Sequence, residues 1–557
     1  MLASCFTISH SMQSVGLLTA SPSAFRTLRL RSSAARSFPG RLLSLACGVG
    51  LALAFDPVGW GLLAPLSLGI FFSRVWHLPR AGVAALDGFL FGVAFLGTHL
   101  WWLVDSIGVA AWVALTLAES IWFALGFVGV YLCRRQVLWP VATAFIWTAF
   151  EIFRQSWPFG GLPWGQLGVA ALDTPFEAAL PYVGVTGTSL LVALVAAAGA
   201  HLVAGRSKAA WASAGVVGLV VLIALSTLGR TRAGADNLLS EEVGDGKVIA
   251  LVQGGVPGDG RDVLAYRPEI LSSSLELTRA IRGSLPANAL DPDLVIWAEG
   301  AAGGSPADDD NVRAQITAAA REIGAPILVG SINAGPTAGT RYNQGVIWSA
   351  AGPEPMEYTK LHPVPFGEFI PARNLIGSLS SQFDRIPFDM VPGPSPEPMS
   401  AGGMVIANAI CFDIAYSGAI RDQVVAGAEL IVVQTSNATF AGTSQPQQQF
   451  AITRARAIET QRAVVVASLN GVTGAIRPDG SVIEQLSPEA VAAAVVTVTP
   501  SRHLTPAVRL GPRLLEGILV GAGLALLAES VRRLREVRGA SRNRTKHRPA
   551  GYPTGVP

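Results

Sequence analysis

The sequence predicts a multi-span α-helical membrane bundle joined to an α/β domain. Three observations predict it. Half of the 557 residues are hydrophobic and only 14% are charged, where an average soluble domain carries about 25% charged residues. Long apolar runs fill the chain from Arg41 to about Leu228 and return once, at Leu514–Val531. Between them, residues 246–500 alternate short β-rich runs with helix-compatible stretches. The composition excludes a disordered chain, which needs low hydrophobicity and high charge. It also argues against a wholly soluble enzyme of this length.

Residues 1–40 are rich in Ser and Arg and read as a basic cytoplasmic tail, with a composition that also resembles a transit peptide. Residues 41–230 are expected to form a membrane domain of about seven helices, near 41–55, 59–75, 82–104, 110–133, 137–155, 181–204 and 209–228. A span needs about 20 apolar residues, so the first two are short enough to be tilted or half-buried. An eighth span is expected at 511–531, then a second basic tail, 532–557.

The net charge is only +3, but it is unevenly spread. Asp56 is the first acidic residue, while Arg26, Arg29, Arg31, Arg36 and Arg41 precede it. The far end carries Arg532, Arg533, Arg535, Arg538, Arg542, Arg544, Lys546 and Arg548. A basic tail beside apolar spans marks the cytoplasmic face of a membrane rather than a nucleic-acid partner. Arg74 and Arg80, Arg134 and Arg135, and Arg206 and Lys208 follow the second, fourth and sixth spans. All then fall on the same face as both termini, and residues 246–500 fall outside. The pattern predicts a multi-pass membrane protein with both termini cytoplasmic and an extracytoplasmic α/β domain.

The α/β domain is read from VIALVQG (Val248–Gly254), LVIWAEG (Leu294–Gly300), ILVGSI (Ile327–Ile332), GVIWS (Gly345–Ser349), VIANAIC (Val405–Cys411), LIVVQTSN (Leu430–Asn437) and VVVASLNG (Val464–Gly471), with helices at Asn311–Ile323 and Gln447–Gln461. Continuous apolar strands alternating with helices imply a sheet covered by helices. The four cysteines, Cys5, Cys47, Cys133 and Cys411, form no CxxC pair, so neither a zinc site nor a disulfide framework is suggested. Cys47 and Cys133 lie in or beside apolar spans and read as packing residues.

Polar residues sit at strand ends where a plain core needs none. LVIWAEG runs into Glu299, VIANAICFDIAY runs through Cys411, and YTKLHPVPFGEFIP between them carries Lys360 and Glu368. A carboxylate, an ammonium and a thiol at the ends of separate strands can converge on one edge of a sheet. Together they suit acyl transfer. A thiol titrates near pH 8.5 and must lose its proton to attack; a helix N-terminus and a lysine both favour the anion. The lysine also stabilises the oxyanion of a tetrahedral intermediate, and a glutamate serves as general base and returns the proton to the leaving group. Taken singly, each has a plainer reading: Cys411 a small core residue, Glu299 a solvated strand end, Lys360 a surface lysine, Glu368 a loop salt-bridge partner.

Their order and local context narrow the choice. Glu at a strand end, then K-x-H-x-V-P-F-G-E, then Cys at a strand-to-helix turn resembles the nitrilase (carbon–nitrogen hydrolase) superfamily, with its αββα sandwich and Glu-Lys-Cys triad. With spans arranged seven plus one, residues 41 to 531 resemble the apolipoprotein N-acyltransferase family. KLHPVPFGEFIP is the strongest single match, and FEIFRQSWPFGGLPWGQLG (Phe150–Gly168) is similar to the family's membrane-side segment.

The resemblance implies Glu299 as general base, Lys360 as oxyanion stabiliser, Cys411 as nucleophile and Glu368 as a further essential glutamate. It implies an acyltransferase that takes a fatty acyl chain from a membrane phospholipid onto the cysteine as a thioester. The chain then passes to the amino group of a diacylglyceryl-cysteine apolipoprotein, in lipoprotein biosynthesis. No cofactor and no metal are expected, and the enzyme is expected to act as a monomer. Where the family commonly has Tyr-Glu after the cysteine, this chain has Phe412 and Asp413, both counted as supporting or substrate-binding positions. Ala298 and Gly300 replace the flanks of the family's P-E-N, and QGGVPGDGRDVLAY lacks the tryptophan common in that loop.

Leu375–Val391 is apolar and follows Glu368, so it is read either as a lid or as a packed loop, and Thr439–Gln449 as a second gate. Glu151 and Arg154 are read as a helical i, i+3 pair, and His362 as structural. Two other functions stay open: a membrane-tethered amidase or nitrilase-type hydrolase using the same triad with water, and a catalytically inactive lipoprotein-binding paralogue.

Overall fold

The computed structural model describes residues 39–204, 246–258, 260, 262–284, 291–376 and 386–546. The expected span at 209–228, most of the first tail, the end of the second and the middle of Leu375–Val391 lie outside the described residues. The chain divides into two compact units, Met1–Leu43 and Ser44–Pro557. The second holds the apolar helical residues from Ser44 onward, the α/β domain and the candidate site.

Apolar helices stand at the first six expected positions: α1 (Pro39–Ala52), α2 (Leu63–Ser73), α3 (Ala81–His99), α4 (Val109–Leu132), α5 (Trp139–Arg154) and α6 (Leu180–Ala204). Among the described residues, four helical segments are long and apolar enough to cross a membrane: Ala81–His99, Val109–Leu132, Pro175–Val203 and Pro506–Gly539. At 1.5 Å per residue, the 11 residues of α2 reach about half of a ~30 Å hydrocarbon core.

The bundle is built on aromatic packing and close helix approach. Phe71 stacks on Phe91 and Phe127 at centroid distances of 4.2 and 4.1 Å, and Trp147 meets Phe72 edge-on at 5.2 Å. On α3, Gly88 and Gly92 face α4 so closely that a Cβ on Gly88 falls 2.6 Å from the Phe123 carbonyl oxygen. Small residues at such crossings let membrane helices pack backbone to backbone.

All seven β-rich runs are strands. The first sheet contains β1 (Lys247–Gln253), β2 (Leu294–Trp297), β3 (Ile327–Ala334), β4 (Thr340–Ser349), β5 (Gly352–Thr359) and the short β6 (Asp389–Met390). The second contains β7 (Met399–Ala401), β8 (Met404–Ile410), β9 (Leu430–Thr435), β10 (Val464–Ser468), β11 (Gly474–Ile476) and β12 (Val482–Gln485). β13 (Ala492–Val498) returns to the first sheet beside β1. β1, β2 and β3 run parallel, as do β8, β9 and β10, and antiparallel strands flank each set.

Both faces of the central strands are buried, which is why they read as continuous apolar runs. In β1, Ile249 and Leu251 point between the sheets, towards Ile406, Leu430 and Val465. Ala250 and Val252 point the other way, onto α7 (Arg267–Ser284) and α8 (Asp310–Ile323). The outer face of the second sheet is covered by α9 (Ser417–Val425) and α10 (Gln445–Thr460). The result is helix, sheet, sheet, helix.

The apolar core under α9 and α10 is continuous with that of the bundle, so the second helix layer is also the junction between the two halves. The final helix, α11 (Pro506–Lys546), bends at Gly511 and runs on through the region expected to be a tail.

Candidate active site

Glu299 follows β2, Lys360 follows β5 and Cys411 follows β8. The first two leave the first sheet and the third leaves the second. The expectation of a single sheet edge is therefore corrected: the candidate site straddles the seam between two sheets.

Lys360 is buried, with 1% of its side chain exposed. Its Nζ donates to Glu368 Oε1 at 2.8 Å and to Glu299 Oε1 at 3.3 Å. Burial alone works against the ammonium, but the carboxylates of Glu299 and Glu368 overcome it and hold Lys360 well above the ordinary lysine range. Glu368 is pulled upward, first by desolvation and then by Glu299, against the opposing charge of Lys360. Its second oxygen accepts the Val364 N–H at 2.7 Å, which closes the VPFGE turn around it.

Two residues that sequence reasoning missed fix Glu299. Asn343 on β4 donates its amide to Glu299 Oε1 at 2.6 Å, and the Ser436 backbone N–H donates to Oε2 at 3.0 Å. Asn343 also receives the Lys360 backbone N–H on its carbonyl at 2.9 Å. No signal in the sequence marks these partners, because pairing between strands far apart in the chain brings them in.

Cys411 has a left-handed backbone, φ 52°. A non-glycine residue held there is strained and persists only where its surroundings over-determine it. Gln449 on α10 donates to the Cys411 carbonyl at 3.0 Å. The helix expected after the cysteine is a five-residue 3-10 turn, Cys411–Ala415, and α9 begins only at Ser417. No long dipole acts on the sulfur. Burial and the Glu299 charge push the thiol up to about 12, against the opposing pull of Lys360 and Thr435. The shift opposes the lowering expected from a helix N-terminus and a lysine, and favours the protonated thiol.

Asp413 is fully buried and saturated. One oxygen accepts the His362 N–H at 2.8 Å and lies 3.0 Å from His362 Nδ1; the other accepts the Tyr358 hydroxyl at 2.9 Å and the Leu361 N–H at 3.2 Å. It ties the segment carrying Lys360 to the turn carrying Cys411. Phe412 points to the bundle, stacked on Trp164 at 6.1 Å and edge-on to Tyr416 at 5.3 Å. His362 stacks on Tyr416 at 3.7 Å. The Tyr416 hydroxyl donates to the Gly160 and Gly161 carbonyls at 3.2 and 3.3 Å, on the loop after α5.

That loop is held from below by Glu151 and Arg154. They are not each other's hydrogen-bond partners, which corrects the i, i+3 reading. Arg154 donates to the carbonyls of Leu162 at 2.9 Å and Trp164 at 2.7 Å, while Glu151 accepts from Ser189 at 2.6 Å and the Leu167 N–H at 3.3 Å. A buried loop carries backbone groups that need partners, and these side chains supply them.

Comparison with known proteins agrees with this architecture. Residues 47–198 match the model of the apolipoprotein N-acyltransferase N-terminal domain, and residues 249–503 match that of carbon–nitrogen hydrolase. The apolipoprotein N-acyltransferase of Mycolicibacterium smegmatis is 32% identical over 517 residues, covering 87% of this chain and 84% of that protein. The chain belongs to the apolipoprotein N-acyltransferase family. The Methylococcus capsulatus member is 30% identical over 79% of this chain and 86% of its own length. Among solved structures, an amidase from Nesterenkonia sp. AN1 matches at 18% identity over 48% of this chain and 98% of its own, with a TM-score of 0.34. The family assignment makes the chain an acyltransferase with a nitrilase-type domain, and its apolar helices agree with a membrane protein.

Proposed function

We propose that this protein transfers a fatty acyl chain from a membrane phospholipid to the α-amino group of a diacylglyceryl-cysteine apolipoprotein, through a thioester on Cys411. The observation that carries the reading is the buried Lys360 ammonium, within 3.3 Å of Glu299 and 2.8 Å of Glu368, with the Cys411 thiol under the influence of all three charges.

In the first half-reaction Glu299 takes the thiol proton as sulfur attacks the ester carbonyl. A thiol raised this far is not ionised beforehand, so proton transfer and attack are coupled. Lys360 stabilises the oxyanion. As the carbon–oxygen bond breaks, Glu299 gives its proton to the departing lysophospholipid hydroxyl. In the second half-reaction the neutral acceptor amine attacks the thioester carbonyl, Glu299 takes an amine proton, and as the carbon–sulfur bond breaks Glu299 returns that proton to the departing sulfur. Glu368 keeps Lys360 charged and oriented throughout.

The reading includes a multi-pass arrangement in the cell membrane, with residues 246–500 extracytoplasmic and both termini cytoplasmic. The basic residues between spans support it. The purified chain, incubated with labelled phospholipid, is expected to form a hydroxylamine-sensitive adduct that Cys411→Ala abolishes. Glu299→Gln and Lys360→Ala are expected to lower transfer by about a thousandfold or more. Turnover of a soluble amide without any lipid-derived adduct would instead identify a hydrolase, and no label at all a binding protein.

A further inference from the structure

Two adjacent glutamines on α10 face opposite partners. Gln448 is buried and reaches into the bundle. Its Oε1 accepts the indole N–H of Trp102 at 3.0 Å and of Trp164 at 2.7 Å, and its Nε2 donates to the carbonyls of His99 at 3.1 Å and Asp56 at 3.2 Å. The amide thus uses both lone pairs and both hydrogens. Gln449 turns the other way and donates to the carbonyl of Cys411 at 3.0 Å. Its own oxygen is fixed by Asn437 at 2.6 Å.

We propose that Gln448 is a positioning residue for acyl transfer. By gripping the bundle while its neighbour grips the Cys411 main chain, it sets the angle at which the sulfur meets an acyl chain arriving from the membrane. The lipid part of this statement rests on the acyl-transfer reading; the positioning part does not. The physical argument is rigidity. Consecutive residues on one helix cannot move independently, so a shift of α10 relative to Trp102 and Trp164 is passed on to the strained Cys411 turn. Four hydrogen bonds tie α10 to the bundle at this one side chain, and a saturated buried amide is costly to disturb.

Spatial continuity alone does not establish coupling, so the test is a double-mutant cycle. Gln448→Met keeps the side-chain length and loses all the amide bonds. Trp164→Phe keeps a ring and loses one donor. The full-length protein is used in detergent with two readouts: the rate of Cys411 alkylation by iodoacetamide, which needs no lipid, and the initial rate of thioester formation against concentration of a labelled phospholipid.

Gln448→Met is expected to lower the maximal thioester rate by about tenfold, with half-saturating lipid unchanged within about twofold. Its alkylation rate is expected to shift by about threefold or more at constant pH. Trp164→Phe is expected to lose less in the same parameter, and the double variant to be no worse than Gln448→Met. Wild-type rates in Gln448→Met overturn the proposal. So do a loss confined to half-saturating lipid, which would make it a lipid contact, and strictly additive losses. If Gln448→Met does not fold, Trp164→Phe and Trp102→Phe decide: both must lower the maximal rate. A wild-type protein that never forms the thioester overturns the acyl-transfer reading instead, and the alkylation comparison still judges the positioning role.

Discussion

Asp413, two residues beyond Cys411, accepts the backbone N–H of His362, two residues beyond Lys360, at 2.8 Å. Its second oxygen takes the Tyr358 hydroxyl from the other side of Lys360 at 2.9 Å. One carboxylate therefore locks the lysine segment to the cysteine turn. Asp413→Asn keeps the volume but turns an amide towards donors. Leaving a buried donor without its acceptor costs about 1–3 kcal/mol. The variant is expected to melt several degrees lower in detergent and to lose about a hundredfold or more in acyl transfer. Near-normal transfer would show that the clamp does not set the site.

The raised thiol makes a prediction with a definite sign. With Cys411 pushed up to about 12, the thiolate fraction rises about tenfold per pH unit between pH 7 and 9. Alkylation by iodoacetamide should follow it. Glu299→Gln removes a charge that raises the thiol, so alkylation at pH 9 should speed up even as acyl transfer disappears. Lys360→Met removes a charge that lowers it, so alkylation should slow. Alkylation that slows in both variants would contradict this electrostatic account.

Arg154→Lys tests the loop after α5. A lysine keeps the charge but lacks the planar fork that reaches the Leu162 and Trp164 carbonyls together. Leaving a buried carbonyl unpaired costs about 1–3 kcal/mol. Protease sensitivity within 157–168 is expected to rise, and transfer to fall, while the amount of membrane-inserted protein stays within about twofold. Unchanged proteolysis would reject the role.

Much of this is legible in the sequence itself. Apolar runs announced the central strands because both faces of each are buried, and strand-terminal Glu299, Lys360 and Cys411 broke that pattern. β5 was missed for a physical reason: GPEPMEYT lies at the sheet edge, mostly exposed, and its prolines need no ladder partner there. Asn343 and Ser436 carry no sequence signal because each acts on a partner distant in the chain, and Gln448 and Gln449, read within a Thr439–Gln449 gate, are instead buried on α10. The i, i+3 spacing of Glu151 and Arg154 permitted a pair, but the buried loop claimed both side chains. The help expected from a helix N-terminus is reduced to a single 3-10 turn at Cys411, while burial and the Glu299 charge push the thiol up.

Gly345 on β4 gives a stability prediction. A Cβ there falls 2.3 Å from Asn408 Nδ2 and 2.5 Å from Gln434 Oε1, both on the second sheet. Asn408 and Gln434 are themselves bonded at 2.9 Å, and Gln434 reaches across to the Trp297 carbonyl at 2.7 Å. Gly345→Ala must force these side chains apart and is expected to cost about 1–3 kcal/mol, read as a lower melting temperature. A variant as stable as the parent would mean that the polar pair relaxes freely.

The same contact has a kinetic meaning. Glu299 and Lys360 ride on one sheet and Cys411 on the other, so the spacing of the sheets bears on how far the sulfur stands from the acid and the amine. A glycine hydrogen and a bonded pair of amides act there as a shim of fixed thickness. On the acyl-transfer reading, residues with no chemistry of their own thereby share in setting how far the Cys411 sulfur stands from Glu299.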